Sequence, residues 1–380
     1  MDPSPSRGWL RRHRAAVLFG ALLLAETVAA LAVGKTPARI HKDEADIGIY
    51  MMRTGWVPAH QLPYRDVFQE YPPLGAYYLA IPRALADTER GYASVFYLMG
   101  ALALAATFVL VVRALPLERR DAALVLACPS VLYYAINRYD ALPALVFVAT
   151  LLALVRGREA ASAILFGVGC GVKWYALAAL PLFVVLAGRR VRWLAIACGA
   201  GLVCCFHPLI YASPPQLWSS YSFHLDRGAS PGSIYDVLLK SVPDLVRFDR
   251  PVKALLLALQ FAPGLLAAGL ALRRRVRPDD LRAVAALMFV SVAGFTTFAK
   301  FHSPQWQVWL APMVALTATP GLVFPYVVSD VLAYTATPLV WNIHGPDSTA
   351  MSVISTLYYA ITVYTMWLAL RSRGQAPANQ

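Results

Sequence analysis

Two neighbouring segments carry the residues best suited to chemistry: His41-Lys42-Asp43-Glu44-Ala45-Asp46-Ile47-Gly48-Ile49-Tyr50 and Pro63-Tyr64-Arg65-Asp66-Val67-Phe68-Gln69-Glu70-Tyr71-Pro72-Pro73-Leu74. Five carboxylates fall within residues 43–70, directly after a hydrophobic run, in a chain with only 21 Asp and Glu among its 380 residues. A positioned carboxylate can take a proton from a reacting hydroxyl, so this stretch offers general-base chemistry.

The elements that must hold these acids are membrane helices. The chain is 58% hydrophobic and 14% charged with a mean hydropathy of +0.54, whereas a soluble globular domain carries about 25% charged residues. This predicts an all-α polytopic membrane protein. The 34 Lys and Arg fall in short clusters between apolar runs, a pattern of topology signals and not of a nucleic-acid surface. Cys128, Cys170, Cys198, Cys204 and Cys205 lie inside apolar runs and read as packing residues. The basic start, Arg7, Arg11, Arg12 and Arg14, leads into a first span read as a signal anchor.

A spanning helix needs about 20 apolar residues, fewer inside a bundle. Candidates lie at 15–33, 91–112, 121–136, 141–155, 160–172, 174–187, 191–211, 252–272, 281–299, 304–319, 321–340 and 350–370, about twelve crossings. With this threading the arginine clusters share one face, which the positive-inside rule assigns to the cytoplasm along with both termini. The run 160–187, with basic clusters at both ends, must be a hairpin with its tip near Lys173-Trp174-Tyr175. The outer face receives a first loop 34–90, the Asn137-Arg138-Tyr139-Asp140 turn, a second loop 212–250, Lys300-Phe301-His302 and the turn 341–349. No linker or internal repeat divides residues 1–380, which read as one integral domain. In the first loop, 43–56 is expected to be helical with Asp46 and Tyr50 on one face. A second helix of about 13 residues after Tyr71-Pro72-Pro73 is too short to span.

Asp46-x-x-x-Tyr50, Pro63-Tyr64-Arg65-Asp66 and Glu70-Tyr71-Pro72-Pro73-Leu74 together resemble the first-loop signature of the GT-C superfamily, in particular glycosyltransferase family 87. Asn137-Arg138-Tyr139-Asp140, Gly167-x-Gly169-x-Gly171-x-Lys173 and Lys300-Phe301-His302-Ser303-Pro304-Gln305-Trp306, with Trp309-Leu310-Ala311-Pro312 beyond, extend the likeness over most of the chain. The resemblance implies a GT-C-like bundle of about twelve transmembrane helices with a helical first external loop. It also implies transfer of one sugar, mannose by family habit, from a polyprenyl-phosphate donor to an acceptor hydroxyl. That transfer would occur at the outer face of the plasma membrane, with inversion. The partners it implies are membrane lipid, the polyprenyl-phosphate sugar and a glycolipid or glycan acceptor, with no nucleic acid and no obligatory cofactor or metal.

Such a transfer needs a base for the acceptor proton and fixed positive charge for the departing phosphate. Asp46 matches the superfamily's aspartate and is the expected base; Asp43 and Glu44 are the alternatives in another register. Asp66 and Glu70 either support the base or form salt bridges to Arg65 or Arg53. Lys300 and His302 are the first choices for the phosphate and Lys173 and Arg138 the second, each with interfacial snorkelling as the plainer use. Tyr50, Tyr64 and Gln305 are the expected substrate contacts. His207, His224 and His344 are too scattered for a zinc site. The rival readings are a transporter or lipid flippase, which usually shows paired repeats, a scaffolding protein, and a hydrolase releasing sugar to water.

Overall fold

The computed structural model describes residues 5–32, 44–226, 228–242, 244, 247, 249–301 and 303–371, which are helical and form no strand. From the N-terminus, α1 (Pro5–Ala32) leads to the short α2 (Glu44–Arg53), α3 (Pro73–Leu85) and the long α4 (Glu89–Ala114). Pro72 and Pro73 start α3, where fixed φ angles suit a first helical turn, and Thr88 caps α4 by accepting from the Gly91 amide at 3.1 Å. A 3-10 segment, Leu117–Ala127, precedes α5 (Pro129–Asn137) and α6 (Ala141–Val155). Then come α7 (Glu159–Val172), a 3-10 turn at Trp174–Ala179, α8 (Leu180–Leu186) and α9 (Arg190–Phe206). The chain continues through α10 (Pro214–Asp226), α11 (Ile234–Ser241), α12 (Asp249–Arg273) and α13 (Leu281–Thr297). It closes with the 3-10 turn Pro304–Trp306, α14 (Gln307–Thr317), α15 (Pro320–Tyr334), α16 (Trp341–His344) and α17 (Thr349–Arg371).

Six helical stretches among the described residues are long and apolar enough to cross a membrane: His13–Ala32, Glu89–Ala114, Arg190–Ile210, Arg250–Arg273, Pro320–His344 and Thr349–Arg371. The number is seven if α5 and α6, bent by 110° at their junction, make one broken span. The other expected crossings are shorter. The run 160–187 breaks at Lys173, where the hairpin tip was expected, but into a 14-residue α7 and a 7-residue α8. Residues 304–319 become a 3-10 turn and the 11-residue α14. Every residue of α14 is buried, and it packs against α4, α5, α6, α13 and α15. A helix enclosed by others need not match the bilayer thickness, because protein and not lipid meets its ends. The 212–250 loop is itself largely helical, as α10 and α11.

Two glycine contacts set the geometry near the expected chemistry. α7 packs on α9 through small residues, and a Cβ on Gly167 would lie 2.5 Å from both the Ala200 Cβ and the Gly201 nitrogen. On α3, a Cβ on Gly75 would lie 2.7 Å from the Val172 carbonyl oxygen. The bare backbone therefore seats the start of α3 on the end of α7, next to Lys173. The cysteines form no disulfide; Cys128, Cys170 and Cys205 pack in the interior, Cys204 is half-buried, and Cys198 lies on an exposed face of α9.

Candidate active site

The loop between α1 and α3 presents Asp46 through α2. Thr54 ends this helix by folding back, its amide and hydroxyl both donating to the Tyr50 carbonyl at 3.1 and 2.8 Å. One face of α2 buries Ile47 and Tyr50, with the Tyr50 ring 5.4 Å from that of Phe96 on α4. Asp46 lies one turn before Tyr50 and meets Arg138, Oδ2 to Nε 2.8 Å. Arg138 closes α5, its amide donating to the Tyr134 carbonyl at 3.0 Å, and its Nε also donates to Gln305 Oε1 at 3.0 Å. Three remote segments thus converge on one guanidinium.

A second pair lies alongside. Asp140 precedes α6, and Lys173 follows α7, with Nζ to Oδ1 at 2.7 Å. The ammonium stands 4.3 Å from the centre of the Tyr139 ring and 5.1 Å from that of Trp309, within the range of cation–π attraction. The two acids differ in access: the Asp46 side chain is 35% exposed and that of Asp140 is 0%.

Tyrosines form the wall between the pairs. The rings of Tyr50, Tyr71 and Tyr139 meet edge to face at 5.1–6.0 Å. Burial, followed by the nearby Asp46 charge, pushes the Tyr50 hydroxyl well above its usual range. Burial likewise raises Tyr71, followed by the neighbouring Tyr50 and the Glu70 charge. Both phenols are therefore neutral donors. Glu70 is buried, which brings it into this wall with Tyr71 and Tyr139.

The other expected site residues fall elsewhere. Asp66 closes a tight turn, accepting from the Leu62 amide at 2.8 Å and from Arg65 Nε and Nη2 at 2.8 and 3.0 Å. The Arg65 hydrogen bonds, and after them the Leu62 amide, hold its pKa below that of an ordinary aspartate. Of the two roles open to Asp66, the structure gives the local salt bridge to Arg65. Tyr64 adopts a left-handed φ of 68° in that turn; its buried ring packs with Ala76, Ala212 and Leu217, and its hydroxyl donates to the Tyr71 carbonyl at 2.6 Å. Lys300 joins the second loop to α13, its carbonyl accepting from the Ser230 amide at 3.1 Å, while its ammonium lies 5.3 Å from the Phe301 ring centre. Asp43 and His302 lie outside the described residues. The cations joined to acids beside the first loop are thus Arg138 and Lys173. Among the described residues, no three His, Cys, Asp or Glu side chains gather where they could hold a metal ion.

Four groups escaped the sequence reading as site residues: Asp140, Tyr139, Tyr71 and Trp309. Asp140 carried a usable signal, since an acid directly before the apolar run 141–155 must find a cation.

A sequence model of glycosyltransferase family 87 matches residues 68–299, more than half of the chain. The chain belongs to glycosyltransferase family 87. This family 87 protein is accordingly a membrane glycosyltransferase with several apolar spans. The matched stretch holds Glu70, Arg138, Asp140 and Lys173, whereas Asp46 precedes it and Gln305 follows it. The case for Asp46 therefore rests on geometry and on the first-loop resemblance, not on this match. No curated protein matches the chain.

Proposed function

We propose that this family 87 enzyme moves a single sugar, most simply mannose, from a polyprenyl-phosphate donor to a hydroxyl of an envelope glycolipid or glycan, with inversion at the anomeric carbon. The observation that carries the reading is the half-exposed Asp46 carboxylate, held 2.8 Å from a nearly buried arginine and next to the Lys173–Asp140 pair. An acceptor hydroxyl can reach Asp46, and two cations stand near it.

In the reaction the acceptor oxygen attacks the anomeric carbon while Asp46 takes its proton. The bond from that carbon to the phosphate oxygen breaks, and polyprenyl phosphate leaves with the electron pair. Arg138 and Lys173 are the groups best suited to the phosphate, with Lys300 and His302 kept as further candidates from the sequence; charge-assisted hydrogen bonds of this kind are among the strongest available. Glu70 and the Tyr50–Tyr71–Tyr139 wall hold the base and bound hydroxyls in place. No metal or other cofactor is needed for this division of labour. Asp66 supports the loop that presents α2, and Tyr64 and Gln305 stay candidates for substrate contact. We place this site at the outer face of the plasma membrane, in a GT-C-like bundle of about twelve crossings with both termini in the cytoplasm, by the arginine distribution.

The test is transfer of radiolabel from polyprenyl-phosphate mannose into extractable lipid by the purified chain in liposomes, compared with Asp46→Asn. Label in a glycolipid with wild type alone is expected. Absence of transfer from any lipid-linked sugar, with faster passage of the labelled donor across the bilayer, would replace the enzyme reading with a flippase.

A further inference from the structure

At the opposite end of α6 and α7 from Asp140 and Lys173, separated by 15 and 14 helical residues or about 20 Å of helix, the molecule opens a second site. Here a cavity of about 540 Å³ is lined by Arg158, Arg189 and Arg192 together with Ala161, Trp193 and Ile196. All three arginines are exposed, and among the described residues none of their guanidinium groups has an acidic or hydrogen-bonding partner. The one carboxylate in the wall, Glu159, is committed elsewhere: it accepts from the Gly188 and Arg189 amides at 2.7 and 3.2 Å. At the same end of the molecule Arg277 is paired to Asp279 at 2.6 Å, so a missing partner is not a general property of this face.

The cavity floor is packed against the interior. Trp193 is buried, stacks on Phe183 with ring centres 5.7 Å apart and donates to the Ser162 hydroxyl at 3.4 Å. Beyond the arginines the walls turn apolar, through Ala161 and Ile196 to the exposed Ile164 and Leu194 on the outer faces of α7 and α9. Cations at the mouth and hydrocarbon along the flank are complementary to a phospholipid with net negative charge, and basic pockets between membrane helices commonly hold such headgroups. A zwitterionic headgroup brings its own cation and is attracted less strongly to three guanidinium groups.

We propose that this cavity is a binding site for an anionic phospholipid, its phosphate among Arg158, Arg189 and Arg192 and its acyl chains along the α7–α9 flank, on the membrane face opposite the candidate active site. The site is independent of which sugar the enzyme transfers.

Native mass spectrometry of the full chain released from micelles doped with dioleoylphosphatidylglycerol or dioleoylphosphatidylcholine tests this. Wild type should retain the phosphatidylglycerol adduct in preference to phosphatidylcholine. Replacing Arg158, Arg189 and Arg192 by Gln should weaken the adduct by about fivefold per arginine removed. A control carrying Arg273→Gln, Arg274→Gln and Arg275→Gln, which removes equal charge outside the cavity, should leave it unchanged. Ala161→Trp fills the exposed wall without altering charge; it should also reduce the adduct and serves if the arginine variant does not fold. Equal retention of the two lipids, equal loss in the control, or an adduct that survives both the arginine variant and Ala161→Trp would overturn the proposal.

Discussion

Asp46–Arg138 and Asp140–Lys173 are ion pairs of nearly the same length, 2.8 and 2.7 Å, yet their surroundings separate them. Asp140 is sealed, with one oxygen on Lys173 and the other, Oδ2, without a hydrogen-bond partner. A buried charge that loses its partner is strongly destabilising, so this pair fixes the meeting of α6 and α7. Asp46 keeps 35% of its side chain accessible; it can exchange Arg138 for a substrate without exposing a bare charge to the interior. The difference teaches that proximity of opposite charges does not identify a catalytic acid. Access does.

The largest expected effect breaks or upholds that contrast directly. Asp46→Asn should lower turnover roughly 10²- to 10⁴-fold, the range for loss of a general base, with little change in the thermal unfolding temperature. If turnover were retained, the base would have to be sought elsewhere. Asp140→Asn should instead destabilise the protein by about 3–5 kcal/mol, as expected when a buried pair is broken. Unfolding in micelles measures it, and the double variant Asp140→Leu, Lys173→Met should recover most of the loss. A stable but inactive Asp140→Asn would blur the two pairs.

A smaller effect concerns how Arg138 is held. Asp330 on α15 is buried and accepts from the Ser130 amide at 3.0 Å, anchoring the start of the helix that ends in Arg138. Asp330→Ala should cost about 1–3 kcal/mol, the penalty for stranding a buried amide, and should reduce activity in proportion to the unfolded fraction. A large loss of turnover at full stability would show that α5 must be positioned more finely than the pairs themselves.

The smallest effect is a pH dependence in the 62–67 turn. The folded pKa of Asp66 lies below the 3.8 of a free aspartate, so its contribution is present above that value and is lost as pH falls through the lowered pKa. The protection of the Leu62 amide against hydrogen exchange, taken relative to its intrinsic rate at each pH, should be lost as the pH falls below about 4 in wild type and be absent throughout in Asp66→Ala. If exchange did not respond to acid, the turn would be held by Tyr64 burial and the Tyr64–Tyr71 contact alone.

Local order near the site was legible wherever it depended on short-range chemistry. The Pro72-Pro73 start of α3, the 13-residue length of that helix, the Asp46–Tyr50 face of α2 and the break at Lys173 follow from fixed φ angles, helical period and apolar run length. Span length was less legible. Hydropathy does not distinguish a helix facing lipid from one enclosed by protein, and α14, buried along all 11 residues, is as apolar as a span without needing its length.

The sequence by itself determined a helical membrane protein, the placement of its acids in the first loop and a family signature, because composition, period and residue order are properties of the linear chain. Only the tertiary structure decided which acid met which cation. Asp46, Arg138 and Gln305 are separated by most of the chain and meet at one guanidinium, while Asp66, equally prominent in sequence, bonds its neighbour Arg65. Pairing and access depend on distances between elements set by helix packing, such as the seat of Gly75 on Val172, and no local pattern encodes those distances.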